Sequence, residues 1–304
     1  TWDTTTSGVT TNWNSNAAGT GTQEAYSSGF TSSYAVFSAS NLSGSAGAFT
    51  VTVDTAVAAA GITVNAGSLT FAGTGAPGLT LGASGITVNA TISGTTKFDS
   101  SLGNITIQGS PTTVTNNSSH LLEFDNDIAA GAPRTLSVNN SSSGGTVFNG
   151  AFSTASQTSY FGLTINSSGS GLTTITSNSN VYYGATTITA GTLQVNNTSN
   201  SGTGISAISV GANGVLAGTG RVAPGHSTSG SVQHNIDIFG TLSPGSSTTP
   251  LSNFTIDLGS TTAGATMESG GTFALGLGTA GATIGAPGTS DRLLITSASA
   301  GDVT

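Results

Sequence analysis

Three carboxylates at alternate positions are the residues of this chain best placed to do chemistry. They are Glu123, Asp125 and Asp127, in the stretch LLEFDNDI, and Arg134 is the nearest basic residue in the sequence. If the stretch is one strand, the three side chains share a face and neighbours lie about 6.6 to 6.8 Å apart. Such spacing fits an inverting glycosidase, and clustered carboxylate oxygens also suit Ca²⁺. We favour a third interpretation, a solvated outer face that keeps sheet edges apart, and keep calcium as the secondary candidate.

No other residue pattern predicts catalysis. His120, His226 and His234 fit no zinc spacing, and the sequence contains no G-x-S-x-G nucleophile motif. We therefore expect a protein that is not an enzyme and that needs no cofactor.

The composition excludes several classes of partner. The 304 residues include 4 Lys or Arg and 12 Asp or Glu, which gives a formal net charge of −8. Nucleic-acid binders need several cations to displace counterions from phosphates, and a negative chain is repelled by anionic membrane surfaces. No apolar run approaches the roughly 20 residues that span a bilayer. We expect neither nucleic-acid binding nor membrane insertion.

Short phrases recur along the chain at intervals in the twenties. GITVN begins at Gly61 and again at Gly85. GTLQV, GVLAG and GTLSP begin at Gly191, Gly214 and Gly240, which are separated by similar intervals. Each phrase alternates apolar and polar residues, as a half-buried strand does. Repeats of this period predict an all-β solenoid, in which each strand pairs with its equivalent one coil away. A sandwich or a propeller is the rival architecture.

The corners and ends of such a solenoid need particular residue types. Glycine and asparagine are expected to supply positive φ angles at the corners. Trp2 and Trp13 are expected to cap the open N-terminal coil, with sugar stacking as the alternative. Tyr182 and Tyr183 are expected to point to opposite sides, so at most one can be buried and the exposed one is an adhesive candidate.

The stretch YYGATTITAGTLQVNN, with GANGVLAGTGRV and GTLSPGSSTTP downstream, resembles the autotransporter-associated β-strand repeat. The structural repeat positions that carry the resemblance are Tyr183, Gly184, Thr187, Ile188, Gly191, Leu193, Gly240, Leu242, Pro244 and Gly245. Residues 1–110 and 182–297 are similar to such chains, whereas 111–181 share only the general character of their sequence. The resemblance implies a right-handed parallel β-helix that is exported from a bacterium as a passenger or surface protein.

We expect a single elongated domain with four segments. Residues 1–60 form an entry and cap region, 61–110 regular coils, 111–181 irregular coils with longer loops, and 182–304 the repeats, which we expect to continue beyond the chain. The expected function is structural: a secreted or cell-surface rod in a stalk, matrix or self-assembling fibre. The alternative is an adhesin, or a β-helix that binds or, less readily, cleaves polysaccharide. Expected partners are further copies, joined end to end or along edges, and surface glycans.

Overall fold

The computed structural model describes residues 13–14, 23–24, 29–38, 47–154, 160–224, 235–245, 253–259, 263–276 and 290–296. These residues form strands and connections without a helix. In this part of the chain, therefore, no helix is long and apolar enough to cross a membrane. The strands are β1 (Trp13–Asn14), β2 (Gln23–Glu24), β3 (Gly29–Ser38), β4 (Ala48–Val53), β5 (Val57–Ala66), β6 (Ser68–Gly73), β7 (Leu79–Val88), β8 (Thr96–Phe98), β9 (Ile105–Ile107), β10 (Thr112–Asn116), β11 (Leu122–Phe124), β12 (Ile128–Ala130), β13 (Arg134–Asn140), β14 (Thr146–Phe148), β15 (Phe152–Thr154), β16 (Phe161–Asn166), β17 (Thr173–Ile175), β18 (Thr186–Val195), β19 (Ile208–Gly218), β20 (Arg221–Val222), β21 (Ile236–Ile238), β22 (Thr241–Pro244), β23 (Asn253–Asp257), β24 (Ala265–Met267), β25 (Thr272–Phe273) and β26 (Arg292–Thr296).

Apart from the antiparallel pair β1–β2, the strands stack in parallel on three faces, so the fold is the β-solenoid that the repeats predict. The first face contains β3, β5, β7, β10, β13, β16, β18, β19, β21 and β24. The second contains β4, β6, β8, β11, β14, β17, β18, β19, β22 and β25. The third contains β5, β7, β9, β12 and β15, followed by a separate group of β20, β23 and β26. The long strands β5, β7, β18 and β19 each serve two faces.

The core runs through the middle of the coils and is built by alternation. In β5, Ile62 and Val64 are buried while Thr63 between them is partly exposed. In β7 one coil later, Ile86 pairs with Ile62 and Val88 pairs with Val64. Burying each such side chain contributes about 1.5–3 kcal/mol. A strand as short as β8 has too little apolar surface to be stable alone, so stability depends on stacking equivalent strands.

Phenylalanines form a continuous stack inside the second face. The rings of Phe71, Phe98, Phe124 and Phe148 come from β6, β8, β11 and β14. Successive ring centroids are 4.6, 5.0 and 5.0 Å apart, and the planes lie within 8, 6 and 11° of parallel. These spacings match the strand separation of about 4.8 Å, because each ring sits directly above its equivalent in the previous coil.

The corners depend on glycine conformation and on asparagine side chains. Among the described residues, positive φ belongs to nine glycines, to Ala76 and to Asn200. The expectation that asparagine supplies positive φ is therefore wrong for most corners. Asparagines instead point inward and bond the backbone: buried Asn116 donates to the carbonyls of His120 and Gly145, each at 2.9 Å. Buried backbone groups that leave the ladder at a corner need such partners.

Residues 111–181, for which the sequence predicts irregular coils, stack in the same way as their neighbours. The register joins Thr112 to Leu136, Leu136 to Leu163 and Leu163 to Thr186, so successive coils pair in order although they differ in length. Residues 155–159 lie outside the described residues. The division into four segments stays a prediction.

Candidate functional site

The three carboxylates of the acidic stretch do not share one strand. Strand β11 ends at Phe124 and β12 begins at Ile128, so Asp125 and Asp127 lie in the corner between the second and third faces. The alternation nevertheless continues through the corner: Asn126 is buried, while Asp127 is exposed. The prediction of one flat acidic face is therefore wrong in its geometry, because the chain turns after Phe124.

The acidic side chains are held by neighbouring coils on both sides. The Lys97 ammonium forms an ion pair with Asp125 and lies 4.0 Å from Oε2 of Glu123. The amide of Asn149 donates to Oε1 of Glu123 at 3.0 Å and to Oδ1 of Asp125 at 2.7 Å. Lys97, Glu123 and Val147 are register partners on β8, β11 and β14. This arrangement ties three coils together through one pair of carboxylates.

The surroundings of Lys97 and Asp125 stabilise the charged forms of both side chains. The hydrogen bond to Asp125 raises the pKa of Lys97 above its ordinary 10.5, although partial burial opposes the shift. Partial burial tends to raise the pKa of Asp125, but hydrogen bonds from Asn149 and Lys97 outweigh it and hold the pKa below its ordinary 3.8. A general acid needs a carboxyl group whose pKa is raised toward neutrality. The cluster therefore suits a structural ion pair.

Calcium at Glu123, Asp125 and Asp127 stays a prediction. An ion placed between the first two carboxylates would compete with the Lys97 ammonium. Asp127 accepts a hydrogen bond from the backbone N–H of Ala151 at 2.7 Å. Within the described ranges, no group of three or more His, Cys, Asp or Glu side chains is arranged to hold a metal ion.

Lys97 and Asn149 were not identified as partners of the acidic stretch from the sequence. Lys97 precedes Glu123 by the same interval by which Asn149 follows it. That interval is one coil for Lys97, the register partner of Glu123, whereas the partner of Glu123 on the other side is Val147, two residues before Asn149. Because the coil length varies, the repeat period alone does not identify either partner. Arg134, the nearest base in the sequence, is in fact part of the groove described below.

The paired tyrosines divide between the core and the surface, which confirms the expected alternation. Tyr182 is fully buried, contacts the rings of Phe152 and Phe161, and shares a hydrogen bond of 2.6 Å with Thr186. Its burial raises its pKa. Tyr183 is partly exposed.

The repeat positions have structural roles. Ile188, Leu193, Leu242 and Pro244 are buried, and Thr187 points outward from β18. A Cβ on Gly184 or Gly240 would lie closer than 3.0 Å to a backbone oxygen of the adjacent coil. Gly191 has φ of +80° at the bend of β18. Gly245 exchanges two backbone hydrogen bonds with Gly218, at 2.7 and 3.1 Å. The repeat therefore encodes bends and close coil contacts.

The proposed N-terminal cap is described only in part. Trp13 in β1 pairs antiparallel with Glu24 in β2. Its side chain, like the whole of Trp2, lies outside the described residues. Capping by the tryptophans stays a prediction.

An open groove lies on the outside of the solenoid where β13, β16 and β18 begin; we call it the corner groove. Its volume is about 450 Å³. Its lining includes a cation, two aromatic rings, a glycine and two hydroxyls, which belong to Arg134, Tyr160, Tyr183, Gly162, Thr164 and Thr187. They come from three consecutive coils, and Tyr160 precedes Tyr183 by about one coil length. This recurrence of an exposed aromatic was the sequence signal for the groove.

Arg134 gives the corner groove its positive charge. Its Nη1 donates to the carbonyl of Pro133 at 2.9 Å, whereas its buried Nε has no hydrogen-bond partner among the described residues. Lys97 and Arg221 form ion pairs with carboxylates, while no described carboxylate pairs with Arg134. The buried Nε is out of reach of an external ligand, but Arg134 lines the groove and no described carboxylate neutralises it, so its charge can attract an anion there.

Comparison with known proteins does not identify the chain. No protein-family model matches it, and no curated protein is similar to it at a significant level. The class that the fold defines is a β-solenoid with parallel stacked strands.

Proposed function

We propose that this chain is a structural rod outside a bacterial cell, in a surface stalk, an extracellular matrix or a self-assembling fibre. The observation that carries the proposal is the unbroken parallel stacking, in which β3 and β24 are joined through successive paired strands on one face. A stack of this kind transmits force along its axis through backbone hydrogen bonds and core contacts between neighbouring coils. We also propose that the chain belongs with the autotransporter-associated repeat proteins. Three repeat glycines support that placement. Gly184 lies close to the adjacent coil, Gly191 forms the bend of β18, and Gly245 exchanges backbone hydrogen bonds with Gly218.

Scarcity of cleavage sites supports an exposed location. The chain offers 4 Lys or Arg side chains to trypsin-like proteases, and two of them are engaged in ion pairs. The proposal includes no catalytic step, because Lys97 and Asn149 already engage Glu123 and Asp125, two of the three carboxylates that suggested one.

Self-association would extend the rod. Within the described residues, β24, β25 and β26 each pair with one strand, on the side of the preceding coil. Unpaired strand edges are templates for strand addition. Leu294, which is 49% exposed, lies on the outer face of β26 beside this edge.

Electron microscopy and sedimentation velocity of the purified chain test the proposal. We expect rods that lengthen as the protein concentration rises. The L294K variant should weaken assembly, because a charge next to an open edge opposes strand addition. L172K is the matched control, since Leu172 is 41% exposed but lies in the middle of the stack. Compact particles of constant mass at every concentration would contradict the assembly proposal.

A further inference from the structure

We propose that the corner groove binds an anionic polysaccharide whose sugar units carry carboxylates. The groove is open and crosses three coils, so a linear chain can enter from the side and follow the rod axis. Its volume of about 450 Å³ lies within the roughly 300–1,000 Å³ usual for ligand sites. The site stands independently of whether the rod assembles.

Two tyrosines provide the apolar part of the site. Tyr160 is 55% exposed and Tyr183 is partly exposed. The backbones of their coils are adjacent, because the N–H of Gly184 donates to the carbonyl of Phe161 at 2.9 Å. Tyrosine presents an apolar ring and a polar hydroxyl, which suits the mixed surface of a sugar ring. This mixture of polar groups and tyrosine rings favours a carbohydrate over a purely apolar partner.

Arg134 provides the cation that would bind the carboxylate. The N–H of Arg134 donates to the carbonyl of Tyr160 at 2.7 Å, which fixes the start of β13 against the aromatic wall. Its Nε is buried and out of reach of a ligand, so a carboxylate in the groove would have to meet the terminal nitrogens of the guanidinium. A guanidinium binds a carboxylate through two parallel N–H···O bonds, and such charge-assisted bonds are the stronger kind. The hydroxyls of Thr164 and Thr187, on the outer side of β16 and β18, are available for sugar hydroxyls.

Gly162 leaves the floor of the groove open. It occupies an outward position of β16 between Thr135 and the coil that contains Ala185. A Cβ there would meet the Ala185 carbonyl oxygen and Thr135 Oγ1, each at 3.5 Å, which is ordinary van der Waals contact. A larger side chain at this position is therefore compatible with the backbone, and it would project into the groove. Gly162 is the position at which the groove can be filled without disturbing the core.

Isothermal titration calorimetry with hexagalacturonate in EDTA-containing buffer tests the proposal, and maltohexaose is the neutral probe. We expect the uronate to bind, the neutral sugar not to bind, and high salt to weaken the interaction. R134Q should lower the affinity about tenfold or more, because it removes a charge-assisted pair. G162V should abolish binding while the melting temperature is unchanged or higher, since valine suits a strand better than glycine.

Matched controls locate the effect. R292Q removes a different exposed arginine, and G78V places a side chain where a Cβ would meet its nearest neighbour at 3.7 Å, away from the groove. Both variants should keep wild-type affinity. No binding of hexagalacturonate at millimolar concentration, equal binding of maltohexaose, or full binding by folded G162V would each overturn the proposal. Loss of assembly in the rod experiments leaves these results unaffected, because the titration uses dispersed protein.

Discussion

Replacing Phe124 by alanine should strongly destabilise the solenoid. The ring is 1% exposed and lies 5.0 Å from Phe98 on one side and 5.0 Å from Phe148 on the other. Truncation of a buried phenylalanine to alanine costs about 3–5 kcal/mol. We expect a value near the upper end, because the cavity would separate rings from two neighbouring coils that cannot approach each other while the strands keep their spacing of about 4.8 Å.

A conservative substitution separates ring contacts from burial. F124L keeps a large apolar side chain but loses two ring pairs, each worth about 0.5–1.5 kcal/mol beyond buried area. We therefore expect F124L to cost about 1–3 kcal/mol. F239A is the matched control, since Phe239 is 44% exposed and surface substitutions usually change stability by about 0.5 kcal/mol or less.

Equilibrium denaturation in urea, followed by far-ultraviolet circular dichroism, measures these changes. The midpoint should fall in the order F239A, F124L, F124A. In a linear array, loss of one coil interface should also broaden the transition, because the coils on either side become less coupled. Equal midpoints for F124A and F239A would refute the in-register ring stack.

Three further predictions concern charge, backbone approach and buried amides. The Lys97–Asp125 pair should contribute about 1 kcal/mol or less. Its share is present above pH 3.8 and is lost as the pH falls through the lowered pKa of Asp125; it is likewise lost as the pH rises above 10.5 through the raised pKa of Lys97. A pH titration of the unfolding free energy should show both losses in the wild type and smaller ones in D125N, where Glu123 and Asp99 still act on Lys97; equal losses in the two proteins would contradict the pairing. Thermal melts should show that G184A is strongly destabilised, since its Cβ would overlap a backbone oxygen, whereas G162A is tolerated, and equal melting temperatures would contradict the coil contact. N140A should cost about 1–3 kcal/mol in urea denaturation because it removes amide bonds to the next coil, and a change within error would show those bonds to be dispensable.

The architecture could be predicted because the sequence shows both the two-residue alternation of a strand and the interval between successive coils. Alternation at Ile62, Thr63 and Val64 sets the strand faces, and the return of the same phrase at Gly85 sets the coil. Each signal is local, so it does not depend on knowing the three-dimensional arrangement. The same alternation predicts that Tyr182 and Tyr183 lie on opposite sides, but the prediction did not say which of the two is buried.

Contacts between coils could not be predicted in the same way. The pairing of Glu123 with Lys97 depends on the coil length, which varies from one coil to the next along the first face. A polar residue such as Asn140 gives no local sign that it points inward, because its burial depends on carbonyls supplied by another coil. The corner groove is defined partly by the missing side chain of Gly162, and a missing side chain among 45 glycines carries little information.

Distances between spin labels, measured by pulsed electron–electron double resonance, test the stacking most directly. The outward positions Thr113, Ser209, Asp237 and Thr266 lie on one column, joined by successive register pairs. The chain has no native cysteine, so labelled cysteine pairs are free of background. Labels at 113 with 209, 237 and 266 should lie about 19, 24 and 29 Å apart, rising by about 4.8 Å per coil. Distances that do not rise in equal steps along this series would contradict a parallel in-register solenoid.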